Sequence, residues 1–238
     1  MKKLLSILFL VITGAIIHAQ TTETILYTWM SGPNTLNAPS AFGTKGVPST
    51  TNIPASIYGP VSWSDNSGNF WLFGGSQSST NKFNALFRYN STTNEWTWMT
   101  GGNSYNNVGV YGTKGIPAAA NTPGARVGAV TWKGADGNLY LYGGYGYGTT
   151  TAIGDLNDVW KFDVTTGQWA WIAGSNTINP AMVYGTMGVT TSSNTPNGRM
   201  GGAGWVDNNG VFWTYGGYNN ANTRYQADLW KFESASGH

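Results

Sequence analysis

The sequence predicts an all-β fold assembled from three repeats, each of four short antiparallel strands. Three observations predict it: an unusual composition, a set of landmarks that returns three times, and period-two alternation inside each copy. The 238 residues include 34 Gly and 12 Trp, with 14% aromatic and only 9% charged side chains. Ordinary globular chains are about one quarter charged. A Gly- and aromatic-rich, charge-poor chain suits many short strands joined by turns. Long amphipathic helices have no signature here.

The first residues form a separate element. Met1 to Gln20 reads as a secretory signal, with Lys2 and Lys3, an apolar run from Leu4 to Ile17, and Ala19 as a cleavage position. Residues 1–19 are therefore assigned to a signal peptide and 20–238 to the repeats. The apolar run falls short of the ~20 residues that a membrane-spanning helix needs. A secreted, extracellular or cell-surface chain with no membrane span in its mature form is expected.

Charge and cysteine exclude several function classes. The formal net charge is +2, and removing Lys2 and Lys3 leaves ten basic residues against ten acidic ones. No basic stripe is present to attract nucleic acid. With no Cys, disulfides, thiolate nucleophiles and cysteine metal sites are excluded.

The repeat fixes the organisation. FGTKG (Phe42 to Gly46) returns as YGTKG (Tyr111 to Gly115) and YGTMG (Tyr184 to Gly188), at spacings of 69 and 73 residues. Pro54, Pro123 and Pro196 keep the same spacings. So do Trp63, Trp132 and Trp205, and the pairs Gly74-Gly75, Gly143-Gly144 and Gly216-Gly217. LFRY (Leu86 to Tyr89), VWKF (Val159 to Phe162) and LWKF (Leu229 to Phe232) follow in turn.

Within the second unit, strand a is Arg126 to Trp132 and a Gly-Ala-Asp-Gly-Asn turn leads to strand b from Leu139. Aromatic and aliphatic residues alternate along strand b, as a strand with two different faces requires. Strand c is Asp158 to Asp163. A Thr-Thr-Gly turn then leads to strand d, Gln168 to Ile172, with Trp169 and Trp171 on one face. Four short strands joined in this way make a propeller blade. The units are placed at about 57–100, 126–172 and 199–232.

The Arg opening strand a, the Gly-Gly pair closing strand b, the LND-W-K-F type of strand c and the Trp of strand d together resemble the kelch motif. What that resemblance implies is a β-propeller of the kelch or galactose-oxidase-like type. Kelch repeats run to ~50 residues, so each unit carries roughly twenty more, placed between strands d and a. Most Trp residues are expected in the core, filling the wedge between blades.

The third unit lacks strand d in its expected place, because KFESASGH (Lys231 to His238) stops one residue before the Trp. YTWMSG (Tyr27 to Gly32) supplies a spare strand d at the other end, with Trp29 equivalent to Trp98 and Trp171. Two readings follow. Residues 26–31 close the third blade, or the chain is a partial propeller that needs further blades or a partner chain. Three blades are fewer than the usual four to eight, which favours the partial propeller.

Alternating connections place the b–c and d–a loops on one face, and these are the long ones. Long loops are uncommon unless functional or disordered, so that face is the expected binding face. Its candidates are Tyr111 and Tyr184 of the YGTxG segments (Phe42 in the first unit), Tyr145, Tyr147 and Tyr218 of the loops, and the strand-entry Arg126 and Arg199. Aromatic faces can stack on sugars or anchor peptides, and Arg offers a fork to carboxylates. The bland alternatives stand beside these. YGTxG reads more readily as a plug that orders its loop and packs between blades, the arginines equally as structural pairs, and Asp155, Asn157 and Asp158 as a solvated turn. Ile57 replaces the Arg in the first unit.

No catalytic residue, metal site or cofactor is expected. The galactose-oxidase copper site uses histidines and a cysteine-linked tyrosine, and this chain has only His18, His238 and no Cys. Asp65, Asp136 and Asp207 recur in the a–b turns, where Asp is an ordinary turn residue. The expected function is non-catalytic binding of a glycan or an extracellular protein. The alternatives are a structural segment of a larger extracellular protein, or part of a carbohydrate-active enzyme whose catalysis lies elsewhere.

Overall fold

The computed structural model describes residues 25–233, so the signal-peptide assignment lies outside the described residues. The chain divides at Met30. In the first unit, Ile25 to Met30 carry no strand and are exposed. The second unit, from Ser31, holds antiparallel sheets and, among the described residues, no helix.

The first sheet is a simple meander of β1 (Val61–Ser64), β2 (Phe70–Phe73), β3 (Leu86–Asn90) and β4 (Glu95–Thr100). The second is built from β5 (Arg126–Val127), β6 (Val130–Lys133), β7 (Leu139–Tyr147), β8 (Ile153–Asp163) and β9 (Gln168–Ala173). Here strand a is split at Gly128, whose φ of 66° breaks the extended run. In the third, β10 (Ala203–Val206), β11 (Phe212–Tyr215) and β14 (Leu229–Phe232) pair, and β12 (Tyr218–Asn219) and β13 (Arg224–Tyr225) form a separate hairpin. Among the described residues no fourth strand lies on β14.

The second sheet differs from expectation at the Gly-Gly pair. Strand b does not close there. A register shift between Tyr142 and Gly144 marks a bulge, after which β7 runs on with Tyr145 opposite Asp155 and Tyr147 opposite Ile153. The b–c connection is thus mostly hairpin, because a bulge absorbs the positive φ of both glycines and lets pairing resume.

The same glycines join neighbouring sheets. Gly75 N donates to Arg126 O at 2.9 Å and Gly144 N to Arg199 O at 2.8 Å. A Cβ on Gly143 would lie 2.9 Å from Arg199 O, so only glycine permits the approach. Asn84 Nδ2 reaches Pro123 O, and Asn157 Nδ2 reaches Pro196 O, at 3.1 and 2.9 Å. Between the sheets lies the core of Trp71, Phe73, Leu139, Leu141, Phe162 and Trp169, all nearly or fully buried. A smaller cluster of Val130, Tyr142, Val159 and Phe212 continues it toward the third sheet. A buried aromatic of this kind stabilises by roughly 3–5 kcal/mol relative to Ala.

The long d–a connections are ordered. Residues 41–53 form a bridged loop that lies along β4, with Gly46 N on Trp98 O and Ser49 paired with Trp96. Residues 110–122 do the same on β9, through Gly115 N to Trp171 O and the Ala118–Trp169 bridge. Each loop covers an edge strand that would otherwise expose unpaired backbone.

Candidate functional site

The strand-entry arginine of the second sheet is buried, at 1% exposure, and so is Tyr111 at 4%. Both converge on Asp158, which is fully buried. Arg126 grips its carboxylate with both terminal nitrogens, at 2.6 and 2.8 Å. Tyr111 Oη donates at 2.6 Å and Trp160 Nε1 at 2.7 Å. Four donors thus fill the carboxylate, and Arg126 also donates Nε to Gly124 O and Nη1 to Gly143 O. Burial pushes the Tyr111 hydroxyl far above its usual range, and the Asp158 charge adds to the rise. Buried and engaged with one another, Tyr111 and Arg126 present no surface to a ligand.

The third sheet repeats the arrangement in a more open setting. Arg199 binds Asp228 with two nitrogens at 2.5 and 2.9 Å, Trp230 Nε1 donates at 2.7 Å, and Tyr184 Oη at 3.1 Å. Tyr184 stacks on Trp230 with ring centroids 5.5 Å apart, yet stays half exposed. Burial would raise the Asp228 carboxyl, but its hydrogen bonds from Arg199 and Trp230 bring it below the usual carboxylate value.

Asp155 and Asp158 therefore depart from the solvated turn expected of them. Both are fully buried because β8 begins at Ile153, five residues earlier than the sequence suggests. Asp155 accepts Asn220 Nδ2 at 2.6 Å and Ala221 N at 3.0 Å, tying β8 to the β12–β13 hairpin. In that hairpin the rings of Tyr218 and Tyr225 lie 5.0 Å apart, and Tyr225 is 87% exposed. Arg224 beside it is also exposed.

Of the other tyrosines, Tyr147 is buried and Tyr145 half-buried. The Lys82 ammonium lies 5.3 Å from the Tyr145 ring centre and donates to Ser79 O at 2.9 Å. Lys82 is buried, which lowers its pKa from the ordinary lysine value. Lys82 and Tyr225 escaped sequence reasoning. Lys82 occupies the register position of Asp155, so a change of charge sign between repeats was its only signal.

The recurrent turn acids have structural partners. Asp65 accepts Ser67 N, Asn69 N and Trp71 Nε1, and Asp207 accepts Asn209 N, Val211 N and Trp213 Nε1. Asp136 pairs with Lys161 at 2.7 Å and takes the Tyr140 hydroxyl at 3.0 Å. Among the described residues no group of three or more His, Asp or Glu is placed to hold a metal ion. No described helix is long and apolar enough to cross a membrane.

No family model matches the chain, and no curated protein does. Among solved structures, one described as "Structure of YjhT" is similar at 17% identity with a TM-score of 0.47. The similarity covers 82% of this chain and 52% of that one, so the chain spans about half its length.

With the Tyr111–Arg126–Asp158 cluster turned inward, the β12–β13 hairpin offers an exposed aromatic feature on the b–c side. Its two rings and Arg224 combine a flat apolar face with a planar cation. Such a pair can stack on a sugar ring or seat a peptide side chain and its carboxylate.

Proposed function

We propose that the chain is a run of kelch-type propeller blades from a secreted, non-catalytic module that binds a glycan or an extracellular protein through its b–c hairpins. The observation that carries the binding site is the Tyr218–Tyr225 pair, displayed on a hairpin that the buried Asp155 holds in place. The four-stranded meander of the first sheet and its counterpart with a split first strand, joined by Gly-Gly contacts, support the blade reading. The engagement of Asp65, Asp136 and Asp207 in turn hydrogen bonds supports a role without catalysis.

A glycan array probed with the purified chain tests the carbohydrate arm. Binding should fall at least about tenfold in Tyr225→Ala, the scale of one lost aromatic contact, while far-UV circular dichroism stays unchanged. Tyr111→Phe, altering a buried hydroxyl, should leave ligand affinity alone. Equal binding by Tyr225→Ala and the parent chain would remove the hairpin from the site.

A further inference from the structure

The contacts that join one sheet to the next leave two unmatched halves at the ends of the array. Trp63 of β1 donates Nε1 to Trp132 O and Tyr140 O of the second sheet, at 3.1 and 3.0 Å. Its counterpart Trp132 stacks on Phe212 of the third sheet, with centroids 3.6 Å apart and planes 5° from parallel. The third member, Trp205, is 45% exposed. The receiving position is Leu139 in the second sheet and Phe212 in the third, both buried. In the first sheet it is Phe70, and that ring is 51% exposed. The tail thus presents a donor half and the head a receptor half of one recurring contact.

The outer strand tells the same story. The loop of residues 183–195 is folded like its two counterparts, with a Val183–Thr195 bridge and Asn194 Nδ2 on Val189 O at 2.8 Å. In the counterparts the same amide also donates to the covered strand, at Trp96 O and Trp169 O. Among the described residues the third sheet has no such strand, and the loop keeps its fold without one. Residues 27–31 carry the matching sequence. Trp29 precedes Phe42 by thirteen residues, as Trp98 precedes Tyr111 and Trp171 precedes Tyr184. Trp98 lies in the first sheet and its following loop covers β9 of the second, while Trp171 lies in the second sheet and its following loop reaches the third through Tyr184 on Asp228 and Trp230. By the same sequence spacing, residues 27–31 match the fourth strand of a sheet that would stand ahead of the first.

We propose that this preceding sheet is the third sheet of a second copy of the chain. Two copies meet head to tail, with Trp205 of one on Phe70 of the other and residues 27–31 of one forming the fourth strand beside β14 of the other. This rests on the propeller reading, because two copies supply six sheets, inside the usual four to eight of a closed ring. A head-to-tail contact closes when its rotation permits and otherwise grows into a fibre. Within one chain β6 touches both β1 and β10, which keeps the second sheet between the two ends.

The register is specified. Trp160 faces Trp171 and Lys161 faces Ala170, as Phe87 faces Trp98 and Arg88 faces Thr97. Trp29 is accordingly set opposite Trp230, and Thr28 opposite Lys231. Since the chain has no Cys, one preparation carrying Thr28→Cys and another carrying Lys231→Cys can be mixed and oxidised. The expected result is a disulfide-linked pair of copies, seen on a non-reducing gel only in the mixture, and a native mass of two chains for the unmodified protein. Phe70→Lys should shift that mass to one chain while leaving circular dichroism unchanged. A monomer, or a link formed within one chain that carries both substitutions, overturns the strand exchange. A ladder of rising masses with the link intact overturns the six-sheet ring instead, so the two failures are distinguishable.

Discussion

The first and second sheets share a backbone but fill one buried site with opposite chemistry. Where the second has Tyr111, Arg126, Asp158 and Trp160, the first has Phe42, Ile57, Ala85 and Phe87. Every polar member has been exchanged and none survives alone. The physical reason lies in Asp158, whose four acceptor sites are filled by the other three side chains. Removing the acid would strand a buried guanidinium, and removing the arginine would strand a buried carboxylate. A network of this kind is stable when complete or when absent, and costly between those limits. In the first sheet the apolar substitutes close round a cavity of only ≈10 Å³, lined by Phe42, Ile57, Ala85 and Phe87 among others. The third sheet keeps the polar set, with Tyr184 half exposed and Arg199 Nε buried without a partner among the described residues.

Breaking the network at one member should give the largest effect. Asp158→Ala leaves Arg126 buried and uncompensated, and should cost about 3–5 kcal/mol in denaturant unfolding. Exchanging all four residues for those of the first sheet sharpens the comparison. The variant Tyr111→Phe, Arg126→Ile, Asp158→Ala, Trp160→Phe should lie within about 2 kcal/mol of the parent, since apolar replacement of a buried pair is often near neutral. A fourfold variant as unstable as Asp158→Ala would show that the two sheets are not interchangeable frames.

The smallest effect belongs to the surface pair of the second sheet. Burial works to raise the Asp136 carboxyl, but hydrogen bonds from Lys161, Asn138 and Tyr140 outweigh it and bring it down to about 2 from 3.8. A carboxyl depressed in the folded state contributes stability that is present above pH 3.8 and is lost as pH falls toward 2. Solvent screening limits the contribution to under about 1 kcal/mol. Asp136→Asn should therefore slightly flatten the stability profile between pH 4 and 2, with parent and variant converging at low pH.

Much of the fold was legible because its signals are local. The alternation in Leu139 to Tyr142 and the Asp-Gly turns mark strands and hairpins within a few residues. The site was less legible because its groups meet across the chain. Asp158 lies 32 residues from Arg126 and 47 from Tyr111, and nothing near Asp158 separates a buried acid from a turn acid. One signal was present: Ile57 replaces the Arg in the same repeat in which Ala85 replaces the Asp. The continuation of β7 past Gly143-Gly144 had no such marker, since two glycines read as a stop unless a bulge is known to absorb them.

The bridged loops along β4 and β9 bear on how such an array can lengthen. Each repeat brings the segment that shields an outer edge, so duplicating a whole unit adds the guard together with the edge it guards. Growth by complete units thus exposes no new adhesive backbone, whereas an insertion or loss that separated residues 110–122 from β9 would. Exposed edges alone would therefore favour duplication in the register of complete units.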